Sequence, residues 1–92
     1  LVGHVGDGNF HFGYLIDPDK PEERETAETL NRKLVSRALE LEGTCTGEHG
    51  VGLHKMGFLL DEAGAGAVAL MRTLKQALDP DNILNPGKVL AP

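Results

Sequence analysis

The sequence of 92 residues has few of the features that would place it in several large classes of protein. Its single cysteine, Cys45, excludes an internal disulfide and is more typical of a small buried side chain than of a reactive thiol. Nine Lys and Arg residues against 14 Asp and Glu residues form no basic cluster, so we expect no nucleic-acid partner. No apolar run reaches the roughly 20 residues of a membrane span.

The length is typical of one small domain or of a piece of a larger protein. The chain starts at Leu1, without Met, and enters a β-prone run at once, which indicates the cut edge of a longer polypeptide. With no Trp and few other aromatic residues, the core must be built from small aliphatic side chains. We therefore expect residues 1–92 to be part of a larger protein and marginally stable without its neighbours.

Alternating and helical patterns divide the chain into β-prone and helical segments. A Gly-Asp-Gly-Asn turn between two β-prone runs predicts a hairpin over residues 1–17. Apolar spacing predicts a helix that starts near Glu22 and Glu23 and ends at Gly43 in a left-handed cap. A short β-prone stretch, residues 44–46, follows.

A second helix is predicted after Asp61, its expected N-cap, and Asp79 is expected to cap the turn that follows this helix. The order of elements is β-β-α-β-α. It predicts an α+β fold in which the helices pack on one face of an antiparallel sheet.

Most of the chemically active side chains lie in two glycine-rich turns. A four-residue hairpin loop would place His4 opposite His11, with Cβ atoms roughly 4.5–5.5 Å apart. Two such imidazoles can bind one divalent metal ion, or they can form only a cross-strand polar pair. Glu48 and His49 are the candidates for a third ligand, and two His with one carboxylate suit zinc or another first-row ion. Because adjacent side chains diverge, one of these two could bind the metal while the other faces the substrate.

Further polar residues are candidates for catalysis and binding. His49, beside a metal, could act as a general base. Lys55 and Lys88 could each hold an anionic group, or could be ordinary solvated lysines. Together with Asn9 and Asn85 they form our set of candidate substrate- or cofactor-binding residues.

Three motifs resemble, in the same order, those of the C-terminal domain of FAD-linked oxidases. They are Gly3-His4-Val5-Gly6-Asp7-Gly8-Asn9-Phe10-His11, Gly47-Glu48-His49-Gly50-Val51-Gly52, and the stretch from Asp79-Pro80 to Asn85-Pro86-Gly87-Lys88. The resemblance covers essentially the whole chain. Among members of this family the chain resembles flavin-dependent D-lactate dehydrogenases, the glycolate oxidase flavin subunit and D-2-hydroxyglutarate dehydrogenase.

The resemblance implies that residues 1–92 are the C-terminal part of a ferredoxin-like cap domain, with the FAD-binding domain outside this chain. It implies oxidation of a D-2-hydroxy acid to the 2-oxo acid. In zinc-dependent members the residues matching His4, His11 and Glu48 bind the ion, and the residue matching His49 is the base. Gly13 stands where D-2-hydroxyglutarate dehydrogenases tend to have Asn, which favours lactate or glycolate as the substrate.

The same resemblance implies a quinone, a cytochrome or an electron-transfer flavoprotein as electron acceptor. We expect a cytoplasmic or peripheral membrane location, or a mitochondrial one in a eukaryote. A homo-oligomer is one possible assembly, and residues 1–92 alone should have no activity.

Two alternative functions stay open. One is a metal-dependent hydrolase with Glu48 as base, although a helical His-Glu-x-x-His motif is missing. The other is a non-catalytic domain in which the histidine pair is structural.

Overall fold

The computed structural model describes residues 1–91 and divides the chain into two compact units. The first unit is Leu1–Glu48 and the second begins at His49. Each unit contains one long helix, here called α1 and α2. Neither described helix combines the length and the apolar character that crossing a lipid bilayer requires.

Helix α1, Pro21–Glu40, starts where the sequence predicts it. Pro21 occupies the first turn, where its fixed φ suits the helix and its missing N–H is not needed. Glu22 and Glu23 also lie in this turn, as predicted, where the helix dipole favours carboxylates. The Glu23 carboxylate accepts the backbone N–H of Asp17, which ties the preceding turn to the helix.

The predicted left-handed cap at Gly43 is wrong. The residue with positive φ after α1 is Glu42, at 63°. Gly43 has a different role, because its N–H donates to the Ala38 carbonyl at 2.8 Å. A Cβ at this position would lie 2.9 Å from that carbonyl oxygen, so glycine is needed here for space and not for its φ.

Helix α2, Met56–Leu78, starts earlier than predicted. Asp61 is therefore inside the helix and is not its N-cap, which is Lys55. The Leu59 N–H already donates to the Lys55 carbonyl at 3.1 Å. At Gly64 the backbone leaves the helical conformation, with φ 84° and ψ 163°, so α2 consists of two segments joined at this glycine.

The predicted antiparallel sheet, and with it the ferredoxin-like arrangement of helices on one sheet face, is wrong for residues 1–91. The β pairing in this range is a single antiparallel bridge between Val2 and His11. Residues 12–16 and 44–46 form no strand despite their β-prone composition. Strand propensity is realised only where another strand or a helix covers the backbone and side chains, and an isolated hairpin is marginal in water.

Few side chains are buried in either unit. Val35 and Cys45 are buried in the first, and Leu59 and Asp79 in the second. The burial of Cys45 confirms its prediction as a small core residue. Many large apolar side chains are exposed, and among them Leu15 is fully so.

Candidate functional site

The first glycine-rich turn, residues 3–11, is shaped by a short 3-10 helix, Val5–Asp7. The His4 carbonyl accepts the N–H groups of Asp7 and Asn9, at 2.9 and 3.2 Å, and Gly8 completes the turn with a φ of 72°. This helical turn lengthens the connection between the paired residues. His11 is therefore opposite Val2, and the predicted register with His4 opposite His11 is wrong.

The two histidines nevertheless converge, because both reach the same carboxylate. His11 Nε2 lies 3.2 Å from Glu48 Oε1, and His4 Nε2 lies 3.7 Å from Glu48 Oε2. The three side chains, which we call the ligand cluster, are 71%, 36% and 44% exposed in the order His4, His11, Glu48. The three predicted metal ligands are thus brought together within the first unit.

The residue types of this cluster are those that bind divalent metals of the first transition row. The cluster offers two imidazole nitrogens and one carboxylate, which is the ligand combination of open zinc sites. The accessible side chains leave room for a further ligand, as a catalytic site requires. The hydrogen bond between His11 and Glu48 would hold these two side chains together without an ion, whereas His4 lies beyond hydrogen-bonding distance of Glu48.

Sequence reasoning treated Asn9 as a turn residue with a candidate binding role, and missed its packing. Its Oδ1 atom is buried and accepts no hydrogen bond from residues 1–91. Gly47, the residue before Glu48, approaches this oxygen closely. The sequence signal for this contact is the presence of Gly47. In the structure Gly47 has no positive φ, so it is the close approach of Asn9 that requires a residue without a Cβ.

The proposed base, His49, follows Glu48 directly and opens the second unit. It is exposed, and Gly50 turns the chain immediately after it with a φ of 78°. Further on, the Val89 N–H donates to the Gly52 carbonyl at 2.8 Å. Within the second unit this bond joins the residue after the third motif to the end of the second motif.

The candidate binding residues of the second unit occupy different settings. Lys55 is half-buried at the start of α2, whereas Asn85 and Lys88 are exposed. Lys88 closes a turn by donating its N–H to the Asn85 carbonyl at 3.3 Å. Lys88 and Arg72 both line a cavity of about 410 Å³, and Lys75 and Asp79 also contribute to its wall.

In the second unit, Asp79 is at the centre of a network of polar contacts. Its carboxylate accepts the N–H groups of Ile83 and Leu84, both at 3.0 Å, which confirms its prediction as a cap. Lys75 donates to the same carboxylate and, at 2.6 Å, to the Leu84 carbonyl. The Lys75 ammonium and these backbone donors hold the pKa of Asp79 below its usual range, although burial opposes the shift.

Comparison with known proteins identifies the family. The family model described as "FAD linked oxidases, C-terminal domain" matches residues 1–89. The chain belongs to this family. The resemblance predicted from its three motifs is therefore confirmed.

Relatives of this FAD-linked oxidase domain carry the names of hydroxy-acid oxidising enzymes. The chain is 56% identical, over 97% of its length, to the mitochondrial D-lactate dehydrogenase [cytochrome] of Kluyveromyces lactis, and covers 15% of that protein. The corresponding protein of Arabidopsis thaliana is 49% identical over the whole chain, which covers 16% of it. The glycolate oxidase subunit GlcD of Bacillus subtilis is 44% identical over 97% of the chain, which covers 19% of it. The chain thus spans less than a fifth of the length of these relatives.

Proposed function

We propose that residues 1–92 are the C-terminal part of an FAD-dependent dehydrogenase that oxidises a D-2-hydroxy acid, D-lactate or glycolate, to the 2-oxo acid. One observation carries the proposal. The Glu48 carboxylate lies between the Nε2 atoms of His4 and His11 in a chain whose relatives are named as D-lactate dehydrogenases and glycolate oxidase subunits.

His4, His11 and Glu48 would hold a divalent metal ion, with zinc as the ion best suited to them. Such an ion would supply a Lewis acid, which would make the hydroxyl of a 2-hydroxy acid more acidic. His4, His11 and Glu48 would help to orient the substrate, because they are held together on two turns of one unit.

His49 is the proposed general base. An unprotonated imidazole nitrogen of His49 takes the proton of the substrate hydroxyl while the C2–H bond breaks and the C2=O bond forms. FAD, bound mainly by residues outside this chain, supplies the acceptor for the hydride from C2. This division of roles rests on the divergence of adjacent side chains: Glu48 would bind the ion and His49 would face the substrate.

The anionic groups of substrate and cofactor need cationic or hydrogen-bonding partners. Lys88 and Lys55 are the proposed cations, and Asn9 and Asn85 the proposed amides. The position of Lys88 on a cavity that Arg72 and Lys75 also line supports its role, because three cations against the one carboxylate of Asp79 give the cavity a net positive charge that attracts anions.

The proposed electron acceptor is a cytochrome, since the relatives of Kluyveromyces lactis and Arabidopsis thaliana are named for it. A quinone and an electron-transfer flavoprotein are the other acceptors that we consider.

The proposed location is the cytoplasm, a membrane surface or the mitochondrion. The proposed assembly is a homo-oligomer. Residues 1–92 alone should not turn over a hydroxy acid.

The decisive experiment measures metal content and turnover in the intact protein and in His4→Ala. His54→Ala is the matched control, since His54 is exposed and is not a member of the ligand cluster. We expect about one divalent ion per chain in the wild type and in the control. His4→Ala should lose both the ion and the oxidation of D-lactate or glycolate. If the intact wild-type protein oxidises neither D-lactate nor glycolate with FAD, the proposed reaction is contradicted. Full metal content in His4→Ala would contradict the proposed site.

A further inference from the structure

Asn9 lies between two glycines that precede candidate metal ligands. We propose that Asn9 is a positioning residue, which sets the distance between the two glycine-rich turns by filling the space between Gly3 and Gly47. This inference rests on the proposed metal site and assigns a structural cause to its geometry.

The first contact is between Gly3 and the backbone of Asn9. A Cβ built on Gly3 would lie 2.5 Å from both the Asn9 carbonyl oxygen and the Phe10 Cα. Real Cβ atoms do not come so close to other atoms, so only glycine allows the backbone of residues 9–10 to pass here. Because Gly3 is bonded to His4, this contact also determines the position of the His4 backbone.

The second contact is between Gly47 and the side chain of Asn9. A Cβ on Gly47 would lie 2.9 Å from Asn9 Oδ1 and 3.8 Å from His11 Cε1. The Asn9 amide and the His11 ring therefore occupy the same side of Gly47. Because Gly47 is bonded to Glu48, the Asn9 amide is a spacer that sets how closely the backbone before Glu48 approaches the first turn.

The contact acts through shape and not through a hydrogen bond. Asn9 Oδ1 is buried and accepts no hydrogen bond within residues 1–91. A buried acceptor without a partner is unfavourable, so its presence needs a compensating role. Filling the gap beside Gly47 provides that role, since metal–ligand distances tolerate changes of only about 0.2 Å.

The experiment uses the intact protein loaded with Co²⁺, with affinity measured by competition against a chelator and ligand geometry followed by visible absorption. Gly47→Ala should weaken Co²⁺ binding by about tenfold and change the absorption spectrum, because the new Cβ displaces the Asn9 amide. Gly6→Ala is the matched control. Gly6 lies in the first turn without a positive φ, and a Cβ there meets no atom within 4 Å.

A double variant separates the contact from a general disturbance of the loop. In Asn9→Ala/Gly47→Ala the shortened side chain makes room for the new Cβ, so binding should recover to the level of Asn9→Ala alone. Asn9→Ala itself should show a smaller loss than Gly47→Ala. This variant introduces no clash, so it tests the spacer even if Gly47→Ala fails to fold.

The outcomes are distinct. Equal Co²⁺ affinity in Gly47→Ala and Gly6→Ala, no recovery in the double variant, or Asn9→Ala with unchanged affinity and spectrum would each overturn the positioning role. If the wild type binds no Co²⁺, the proposed metal site fails separately. The spacer is then judged by the His11 Cε1–H nuclear magnetic resonance signal, which should shift in Gly47→Ala and in Asn9→Ala but not in Gly6→Ala. An unchanged signal in both overturns the spacer.

Discussion

His11 Nε2 lies 3.2 Å from Glu48 Oε1, although the two residues are 37 positions apart in the chain. The contact joins the first glycine-rich turn to the end of the first unit, beyond helix α1. It brings a second histidine to the carboxylate that His4 also approaches, and two His with one carboxylate is the ligand combination on which the proposed metal site rests.

His49→Gln should lower kcat by about two to four orders of magnitude, because the substrate hydroxyl loses its base. The metal content of the intact protein should stay at the wild-type level, since the ligand cluster is His4, His11 and Glu48. Turnover is followed with an artificial electron acceptor, and His54→Gln is the control. Loss of the ion in His49→Gln would assign His49 to the metal and remove it as the base.

Lys88→Ala should weaken binding of the anionic substrate or of the flavin phosphates by roughly tenfold or more, as expected for a charge-assisted hydrogen bond. The measurements are KM for D-lactate and the flavin content after dialysis. Lys33→Ala, which removes an exposed lysine of α1, should change neither quantity. Identical values for the two variants would exclude Lys88 from anion binding.

Asp79→Asn should lower the melting temperature at neutral pH, because the neutral amide loses the ion pair with Lys75. The pKa of Asp79 is lowered in the folded state, so its contribution to stability is present above the unfolded pKa. This contribution is lost as the pH falls through the folded pKa, below the ordinary value of 3.8. The difference in melting temperature between wild type and variant should therefore shrink towards acid pH. The exposed Asp81→Asn is the control, and a difference independent of pH would refute the assigned cause.

Leu59→Ala should lower the free energy of unfolding by about 2–3 kcal/mol, as for other buried leucines. Leu59 is 9% exposed and its neighbour Leu60 is 50% exposed, so Leu60→Ala should cost clearly less. Urea denaturation of the intact protein measures both. Equal losses would contradict the assignment of Leu59 to the core of the second unit.

The proximity of His4 and His11 was predicted from a hairpin register that the structure does not have. The sequence indicates a turn between them, whereas the 3-10 helix Val5–Asp7 changes the register and moves His11 opposite Val2. The two side chains meet through Glu48 and not across a hairpin. That carboxylate could be predicted as a third ligand, but the contact depends on long-range packing that no local pattern encodes.

Helices were predicted better than strands because a helix satisfies its backbone hydrogen bonds internally. Helix α1 has its Pro and Glu signals in the first turn, and these are local. Residues 12–16 have strong β propensity, yet a strand depends on a partner elsewhere. The Lys75–Asp79 pair was missed although its i, i+4 spacing on α2 is a usable local signal.

The break in α2 has a consequence for stereochemistry. Gly64 has a φ of 84° and a ψ of 163°, and a Cβ built on it meets no atom within 4 Å. Its backbone is the mirror image of an ordinary extended residue, so L-alanine is strained at this position while D-alanine is not. A D-alanine introduced by chemical ligation would restrict the unfolded chain at no cost to the folded one, and Gly64 thus marks where a mirror-image residue would stabilise the protein.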